Sequence, residues 1–392
     1  MRGSSEDQRM MAEAIRLAAL GLYSTAPNPR VGCVIARDGA IIASGYHRRA
    51  GGAHAEIDAL AGAGNGIAAS TVYVTLEPCS HHGRTPPCAD ALVEAAVARV
   101  VVASEDPNPL VAGEGMRRLR AAGIRVEQGL LEHQARALNP GFFKRMQTGM
   151  PWVRCKLAMS LDGRTAMGCG DSKWITGEAA RQDVQRLRAR SCAVLSGIDT
   201  VLQDDPRLDV RMDPLDGLPV GRQPVRVIVD SKLRLPATAR LLGTTGEVIV
   251  ATATRDQARE QALAAVGVTV VYLPGANGRV DLAALLAHLA SAQCNEILIE
   301  AGATLAGAVL DAGLVDELVI YMAPLLMGNA ARPLLQLPIA TMAQARALEI
   351  RDIRAVGADW RITAIPVSYT HLRAHETVLD LVCRLLLEKK KP

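Results

Sequence analysis

The chain has 392 residues, 49% of them hydrophobic, and a formal net charge of +4. That length accommodates two or three domains, each with its own core. The charge is too small and too dispersed for a nucleic-acid footprint, no apolar run is long enough to span a bilayer, and the first residues lack the charged-then-apolar pattern of a secretory leader. Eight cysteines without a framework spacing point to a reducing, cytoplasmic setting.

Taken in order, residues 6–20 read as a helix, and Val31–Ala36 and Ala40–Gly45 as a hairpin around Asp38-Gly39, a favoured tight-turn pair. Further strands are expected at 71–76, 98–104 and 124–128, with helices at 54–62, 88–97, 113–122 and 131–146. That order fits a compact mixed sheet covered by helices over residues 1–147. Residues 147–151 form a short linker, and a second α/β unit follows over 148–366. Its strands are expected near 152–159, 192–197, 225–230, 247–251, 268–272, 296–300 and 317–322, with helices between. Gly62, Gly64 and Gly66 imitate a dinucleotide loop but follow a helix rather than a strand, so they read as a turn.

His54-Ala55-Glu56, then Pro78-Cys79 and Cys88, carry the most chemistry. One histidine and two cysteines hold a zinc ion and leave its fourth position for water. A glutamate two residues past the histidine can shuttle that water's proton without binding the metal. This division of labour is the signature of zinc-dependent deaminases of nucleobases and related pyrimidines. A free cysteine is more often a small buried hydrophobe, but here each ligand stands at a predicted element boundary. His54 and Cys88 open helical runs, where the helix dipole favours thiolate, and Cys79 follows a β-branched strand. His81 and His82 are loop residues, since the three-ligand set is already complete. The usual deaminase spacing is Pro-Cys-x-x-Cys, whereas Cys79 and Cys88 are nine positions apart.

In the second unit the informative segments surround Lys156, Asp162, Ser172–Trp174, Gly197–Leu208 and Ile297–Ala308. The last is a buried-type strand ending at Glu300, with a Gly-containing loop, Gly302–Ala308, opening a helix whose backbone N–H groups suit a phosphate. No Gly-rich dinucleotide fingerprint is present. Singly, these features are weak.

Together with Pro27-Asn28-Pro29-Arg30-Val31-Gly32, Gly45-Tyr46-His47, His54-Ala55-Glu56 and the long Cys79-to-Cys88 spacing, they make the chain resemble the bifunctional riboflavin-biosynthesis deaminase–reductases over residues 8–366. The resemblance implies an α/β protein, with a cytidine-deaminase-like three-layer domain ahead of a dihydrofolate-reductase-like domain. It implies deamination of 2,5-diamino-6-ribosylamino-4-pyrimidinone 5′-phosphate and then reduction of the ribosyl side chain by NADPH, giving 5-amino-6-ribitylamino-uracil 5′-phosphate. Zn2+ would be held by His54, Cys79 and Cys88, with Glu56 moving protons. Asn28, His47 and Arg84 match substrate contacts of the deaminase, Arg84 standing where lysine is also typical. In the reductase, ring opening or proton transfer falls to Lys156 or Asp204. Ser172, Arg188, Leu208, Arg211 and Glu300 match substrate contacts, Arg188 and Arg211 being natural partners for phosphate. Ala158, Trp174, Thr200, Asp204, Ser231 and Gly302, Ala303, Thr304, Leu305, Ala306, Gly307 and Ala308 match cofactor contacts. The partner is a small phosphorylated pyrimidine, with no nucleic acid or membrane, and the family implies a homo-oligomer. The alternative, a nucleotide or tRNA deaminase with a non-catalytic binding domain, wants a basic stripe with interleaved aromatics, and aromatics are only 3% of the chain. An inactive scaffold would be expected to have lost a ligand or Glu56, and none is lost.

Residues 367–392 stand apart. Val367–Thr377 can be back-translated into a transposase-type sequencing adapter, and Asp380–Lys391 into its far end read into an A-run. The bland reading is an amphipathic helix with a basic end. The expectation is a non-native tail, so that His371, His375 and Cys383 are not ligands and the remaining charge is about +2.

Overall fold

The computed structural model describes residues 4–64, 66–80, 86–109 and 111–367. The first part runs α1 (Ser5–Ala19), β1 (Gly32–Arg37), β2 (Ala40–Tyr46), α2 (Ala55–Gly62), β3 (Thr71–Val74), α3 (Cys88–Glu94), β4 (Arg99–Val102), α4 (Glu114–Ala121), β5 (Arg125–Gln128), α5 (Glu132–Ala137) and α6 (Pro140–Thr148). Next come β6 (Trp152–Ser160), β7 (Arg164–Ala166), α7 (Glu178–Arg190), β8 (Ala193–Gly197), α8 (Ile198–Asp204), β9 (Val225–Val229), β10 (Val248–Thr252), α9 (Gln257–Ala264) and β11 (Val268–Tyr272). The chain closes with α10 (Leu282–Ser291), β12 (Glu296–Glu300), α11 (Ala303–Asp311), β13 (Glu317–Ala323), β14 (Arg332–Pro333), β15 (Leu348–Val356) and β16 (Asp359–Pro366).

By contacts the chain forms two compact units, one of residues 1–152 with 182–299 and one of residues 153–181 with 300 onward. The first unit contains the sheet β2-β1-β3-β4-β5 and the parallel run β11-β10-β9-β8-β12. In the second, β6 lies parallel to β13, and β16 and then β15 add to β13 antiparallel, with β14 paired to β7.

The β2-to-β5 sheet shows how a period of two divides one strand between two cores. Cys33, Ile35, Val72, Val74, Val100 and Val102 pack against Ala55, Ala59, Ala89, Leu92, Met116 and Leu119 of α2, α3 and α4. Their neighbours Val34, Ala36, Tyr73 and Val101 point the other way, against Met10, Met11, Ala14 and Leu17 of α1 and Ala135 of α5. The result is three layers. Two glycines set the distances that matter for the site. A Cβ on Gly45 would lie 2.4 Å from the Ala59 nitrogen, so only glycine lets β2 run this close to α2. A Cβ on Gly115 would lie 1.9 Å from the Pro78 carbonyl oxygen, which brings α4 against the segment that carries Cys79.

The helix expected over 131–146 is two helices, α5 and α6. Pro140 supplies no N–H for a continuous ladder and instead begins α6. The Asn139 side chain is occupied with the backbone of Arg30, accepting from its N–H and donating to its carbonyl. The Gly302–Ala308 segment, expected as a loop, is the first turns of α11, with Gly302 at its N-cap. A Cβ on Gly307 would lie 2.1 Å from the Gln336 carbonyl, so that glycine admits a neighbouring backbone.

One charge cluster ties α1 to the sheet. Asp7 accepts from the Tyr73 hydroxyl at 2.7 Å and from Arg99 at 2.7 and 3.2 Å, and it completes a capping box with Ser4. The Arg99 guanidinium beside it holds the Asp7 carboxyl well below the usual carboxylate range. A depressed folded-state value means that its stabilisation is full above the unfolded value and is lost as pH falls toward the folded one. Asp7→Asn should therefore cost about 1.5–3 kcal/mol at neutral pH. The gap to the native chain in urea unfolding should narrow as the pH is lowered below about 4.

Candidate metal centre and catalytic site

Local structure brings His54, Cys79 and Cys88 together from three elements. His54 is the N-cap of α2 but its side chain caps nothing, which frees the ring. Cys79 follows β3, and Cys88 is the first residue of α3. Their donor atoms all lie within 4.8 Å of one another. Nδ1 of His54 is 3.6 Å from the Cys79 sulfur and 3.3 Å from that of Cys88. Ligands at ~2.0–2.3 Å from a tetrahedral zinc stand ~3.3–3.8 Å apart, so the spacing and the N/S donor set both fit that ion.

The backbone holds the cysteines in place. The N–H of Cys88 donates to the Cys79 sulfur at 3.3 Å, and that of Ala89 donates to the Cys79 carbonyl at 3.1 Å. Hydrogen bonds from Cys88 and His54 hold the Cys79 thiol below the usual thiol range, whereas the bond to Cys79 and burial push Cys88 well above it. The two thiols therefore titrate as a pair rather than singly, and a divalent metal binds them as thiolates, releasing their protons. Among the described residues this is the group of histidine, cysteine and acidic side chains arranged to hold a metal ion.

Glu56, the second residue of α2, is 3% exposed, and burial pushes its carboxyl up to about 7. His47 is also buried, and its ring lies edge-on to that of His54 with centroids 5.6 Å apart. His47 Nδ1 is 2.8 Å from the Ala53 carbonyl, which only a ring N–H can satisfy. Its Nε2 is then an acceptor for the Asn28 amide at 3.0 Å. Burial lowers the His47 pKa, in keeping with a neutral ring. The structure therefore gathers Asn28, His47, His54, Glu56, Cys79 and Cys88. Arg84, His81 and His82 lie outside the described residues, as does the tail from residue 368.

Sequence reasoning missed Glu77. This buried carboxylate accepts from the backbone of Gly113 at 2.9 Å and Met116 at 3.2 Å at the start of α4, and from Asp106 at 3.3 Å. It anchors the segment just ahead of Cys79. A lone glutamate before Pro-Cys carries no signal of that work.

The remaining candidates are placed as follows. In the first unit, Arg188 of α7 donates to the Asp209 carbonyl at 3.0 Å, and the Arg211 N–H donates to the Gln185 side chain at 3.0 Å. These two bonds draw the helix carrying Arg188 against the segment carrying Arg211. Leu208 is buried there with a φ of 55°, while Thr200 and Asp204 lie half-buried on α8. Ser231 accepts from the Val280 N–H at 3.2 Å. In the second unit, Lys156 and Ala158 are half-buried on one face of β6, and Glu300 ends β12. Ser172 is half-buried. Trp174 is 70% exposed beneath the Arg181 guanidinium. Gly302 and Thr304 are exposed at the start of α11, Ala303, Leu305 and Ala308 are half-buried, and Ala306 and Gly307 are buried.

Comparison with known proteins agrees with both halves. Residues 4–104 match the cytidine and deoxycytidylate deaminase zinc-binding region, and residues 151–362 match the RibD C-terminal domain. The riboflavin biosynthesis protein RibD of Escherichia coli K12 is 49% identical over 362 residues, 90% of this chain and 98% of that protein. The chain belongs to the RibD family. RibD of Haemophilus influenzae is 47% identical, over 93% of this chain and 98% of its own. Acinetobacter baumannii RibD superposes with a TM-score of 0.87 at 50% identity, covering 93% of this chain and 99% of that one. A Thermotoga maritima structure described as a diaminohydroxyphosphoribosylaminopyrimidine deaminase/5-amino-6-(5-phosphoribosylamino)uracil reductase gives 0.82 at 32% identity, over 92% and 99%. The family fold is the one expected, a cytidine-deaminase-like domain followed by the RibD reductase domain. Zinc and NADPH are the cofactors of these two domains. No helix among the described residues is long and apolar enough to cross a membrane.

Alanine at Cys79 or at Cys88 leaves two donors where zinc needs three. Elemental analysis of the purified variants should find zinc falling from about one per chain to near zero. Full occupancy in both would break the ligand set.

Proposed function

We propose that the His54–Cys79–Cys88 centre deaminates a 2,5-diamino-6-ribosylamino-4-pyrimidinone 5′-phosphate, and that the second half then reduces its ribosyl chain with NADPH. The chain is a bifunctional riboflavin-pathway enzyme, a zinc-dependent deaminase and an NADPH-dependent reductase. The observation that carries the deaminase reading is the convergence of three metal donors within 4.8 Å beside a buried glutamate.

His54, Cys79 and Cys88 would hold the zinc, which when bound makes its water acidic enough to lose a proton near neutral pH. Glu56 would accept that proton and pass it to the ring nitrogen, then take the second proton from the hydroxyl now on the tetrahedral ring carbon and give it to the amine, so that the C–N bond breaks, the carbonyl forms and ammonia leaves neutral. Its burial suits a group that must alternate between the two protonation states. His47 donates a hydrogen bond from its Nδ1–H to the Ala53 carbonyl, and its Nε2 accepts one from the Asn28 amide. That pairing turns the Asn28 amide so that its Oδ1 is left for an N–H of the pyrimidine. Arg84 adds positive charge for the substrate.

For the reductase, proton transfer or ring opening is assigned to Lys156 or Asp204. Ser172, Leu208 and Glu300 contact substrate, and Arg188 and Arg211 take its phosphate, a pairing that guanidinium makes with two parallel bonds. The bonds joining α7 to the 209–211 segment support this shared role. Ala158, Trp174, Thr200, Asp204, Ser231 and Gly302–Ala308 are assigned to NADPH.

Glu56→Gln keeps shape but cannot carry the proton. Zinc content should stay native while ammonia release falls on the order of 10³-fold or more. A near-native rate would assign the proton to another group. For the second site, Arg211→Ala should raise the KM for the phosphorylated intermediate and leave the KM for NADPH unchanged. The penalty should shrink for a dephosphorylated intermediate. Equal penalties with and without phosphate would move Arg211 to another role.

A further inference from the structure

We infer that Asn295, in the half matched by the reductase-domain model, is a positioning residue for the deaminase, acting through the peptide unit that carries Asn28. The inference rests on the reading of Asn28 as a substrate contact. It extends that reading to a side chain that touches neither the metal donors nor His47.

The peptide joining Pro27 to Asn28 is pinned at both ends. Its carbonyl oxygen accepts from Asn295 Nδ2 at 2.7 Å, and its N–H donates to the Thr25 carbonyl at 2.8 Å. A peptide is planar, so fixing its oxygen and its nitrogen fixes where the Asn28 Cα sits, and the bond to His47 then sets how its side chain is turned. Asn295 is itself held. Its Oδ1 accepts from Arg145 at 2.6 Å, its N–H meets the Cys192 sulfur at 3.2 Å, and its carbonyl accepts from the Trp152 N–H at 2.8 Å.

The same loop is gripped on either side by neighbours from residues 182–299. Arg30 pairs with Glu296 at 2.7 Å, both side chains being almost wholly buried, and Glu296 also accepts from Arg190 of α7 at 3.2 Å. Upstream, the Tyr23 hydroxyl donates to Asp216 at 3.0 Å, and the Tyr23 carbonyl accepts from the Gly221 N–H at 3.1 Å. Segment 23–30 therefore presents Asn28 to His47 on one side and takes its support from the second half of the chain on the other. Plain adhesion between halves would not need a bond on the one carbonyl that adjoins the substrate residue.

The test uses the full-length, zinc-loaded protein and two variants. Asn295→Asp keeps the acceptor for Arg145 but sets a carboxylate against the Pro27 carbonyl, and Asn295→Ala removes both bonds. Both should raise the KM for deamination about tenfold with kcat within about twofold, the mark of lost binding rather than lost chemistry. Zinc content and NADPH-dependent reduction of pre-deaminated substrate should stay native. A merely structural Asn295 would let the aspartate variant, which retains the Arg145 bond, deaminate with a native KM, and that result overturns the inference. Asn28→Ala is measured alongside. A raised KM in Asn28→Ala with a native KM in both Asn295 variants refutes the positioning role alone. A native KM in Asn28→Ala refutes the substrate contact and the inference with it.

Discussion

Everything at the deaminase centre depends on holding two sulfurs and one imidazole nitrogen closer together than they would stay if all were free to ionise. The donors are spread over 34 positions of sequence, and their atoms lie 3.3–3.6 Å apart across the histidine. Such crowding is unfavourable without a cation, because two thiolates repel and burial removes the water that would screen them. The fold imposes it through rigid supports. Gly45 lets α2 lie against β2, Glu77 anchors the chain ahead of Cys79, and Gly115 admits α4 beside Pro78. The layers thus hold a site that metal binding completes.

Much of this was legible in the residues. His54, Cys79, Cys88 and Glu56 were identifiable because each residue type does a distinct job at that spacing, whereas Asn28 and His47 came only from the family resemblance and nothing in the sequence paired them. The three-layer arrangement was expected from the family resemblance alone: β1, β3 and β4 are continuous apolar runs buried on both faces, so their residues do not show which side chain meets which core. The split of α5 from α6 was signalled by Asn139-Pro140, but a helical pattern continuing on both sides concealed it. Glu77, Arg30, Asn295 and Glu296 were not legible as a supporting framework. Their partners are backbone groups or charges up to 268 positions away, and a polar residue gives no sign in sequence of which distant carbonyl it will meet. Long-range polar pairing is set by tertiary structure, whereas short-range periodicity is set by the chain itself.

Contacts group residues 182–299 with the deaminase layers, and the buried Arg30–Glu296–Arg190 chain lies inside that unit. Burying such a pair carries a desolvation cost that attraction only partly offsets, so its worth is in fixing geometry as much as in stability. The arginines of α7 accordingly divide their work. Arg186 holds Asp216 and Arg190 holds Glu296, while Arg188 faces the Asp209 carbonyl in the segment assigned to phosphate. One helix thus reaches both the loop that presents Asn28 and the segment proposed to bind the second substrate's phosphate.

The central claim is that one chain performs deamination and then reduction, with zinc serving only the first. The most direct measurement follows ammonia and NADPH together, in a single sample of purified chain mixed with the diaminopyrimidine ribosyl phosphate and NADPH. Ammonia should appear first, NADPH should then be oxidised in equal amount, and removal of zinc by a chelator should stop both. Supplying the deaminated intermediate to the zinc-free chain should restore NADPH oxidation alone. NADPH oxidation that precedes ammonia release, or that fails on the intermediate once zinc is removed, would contradict the account.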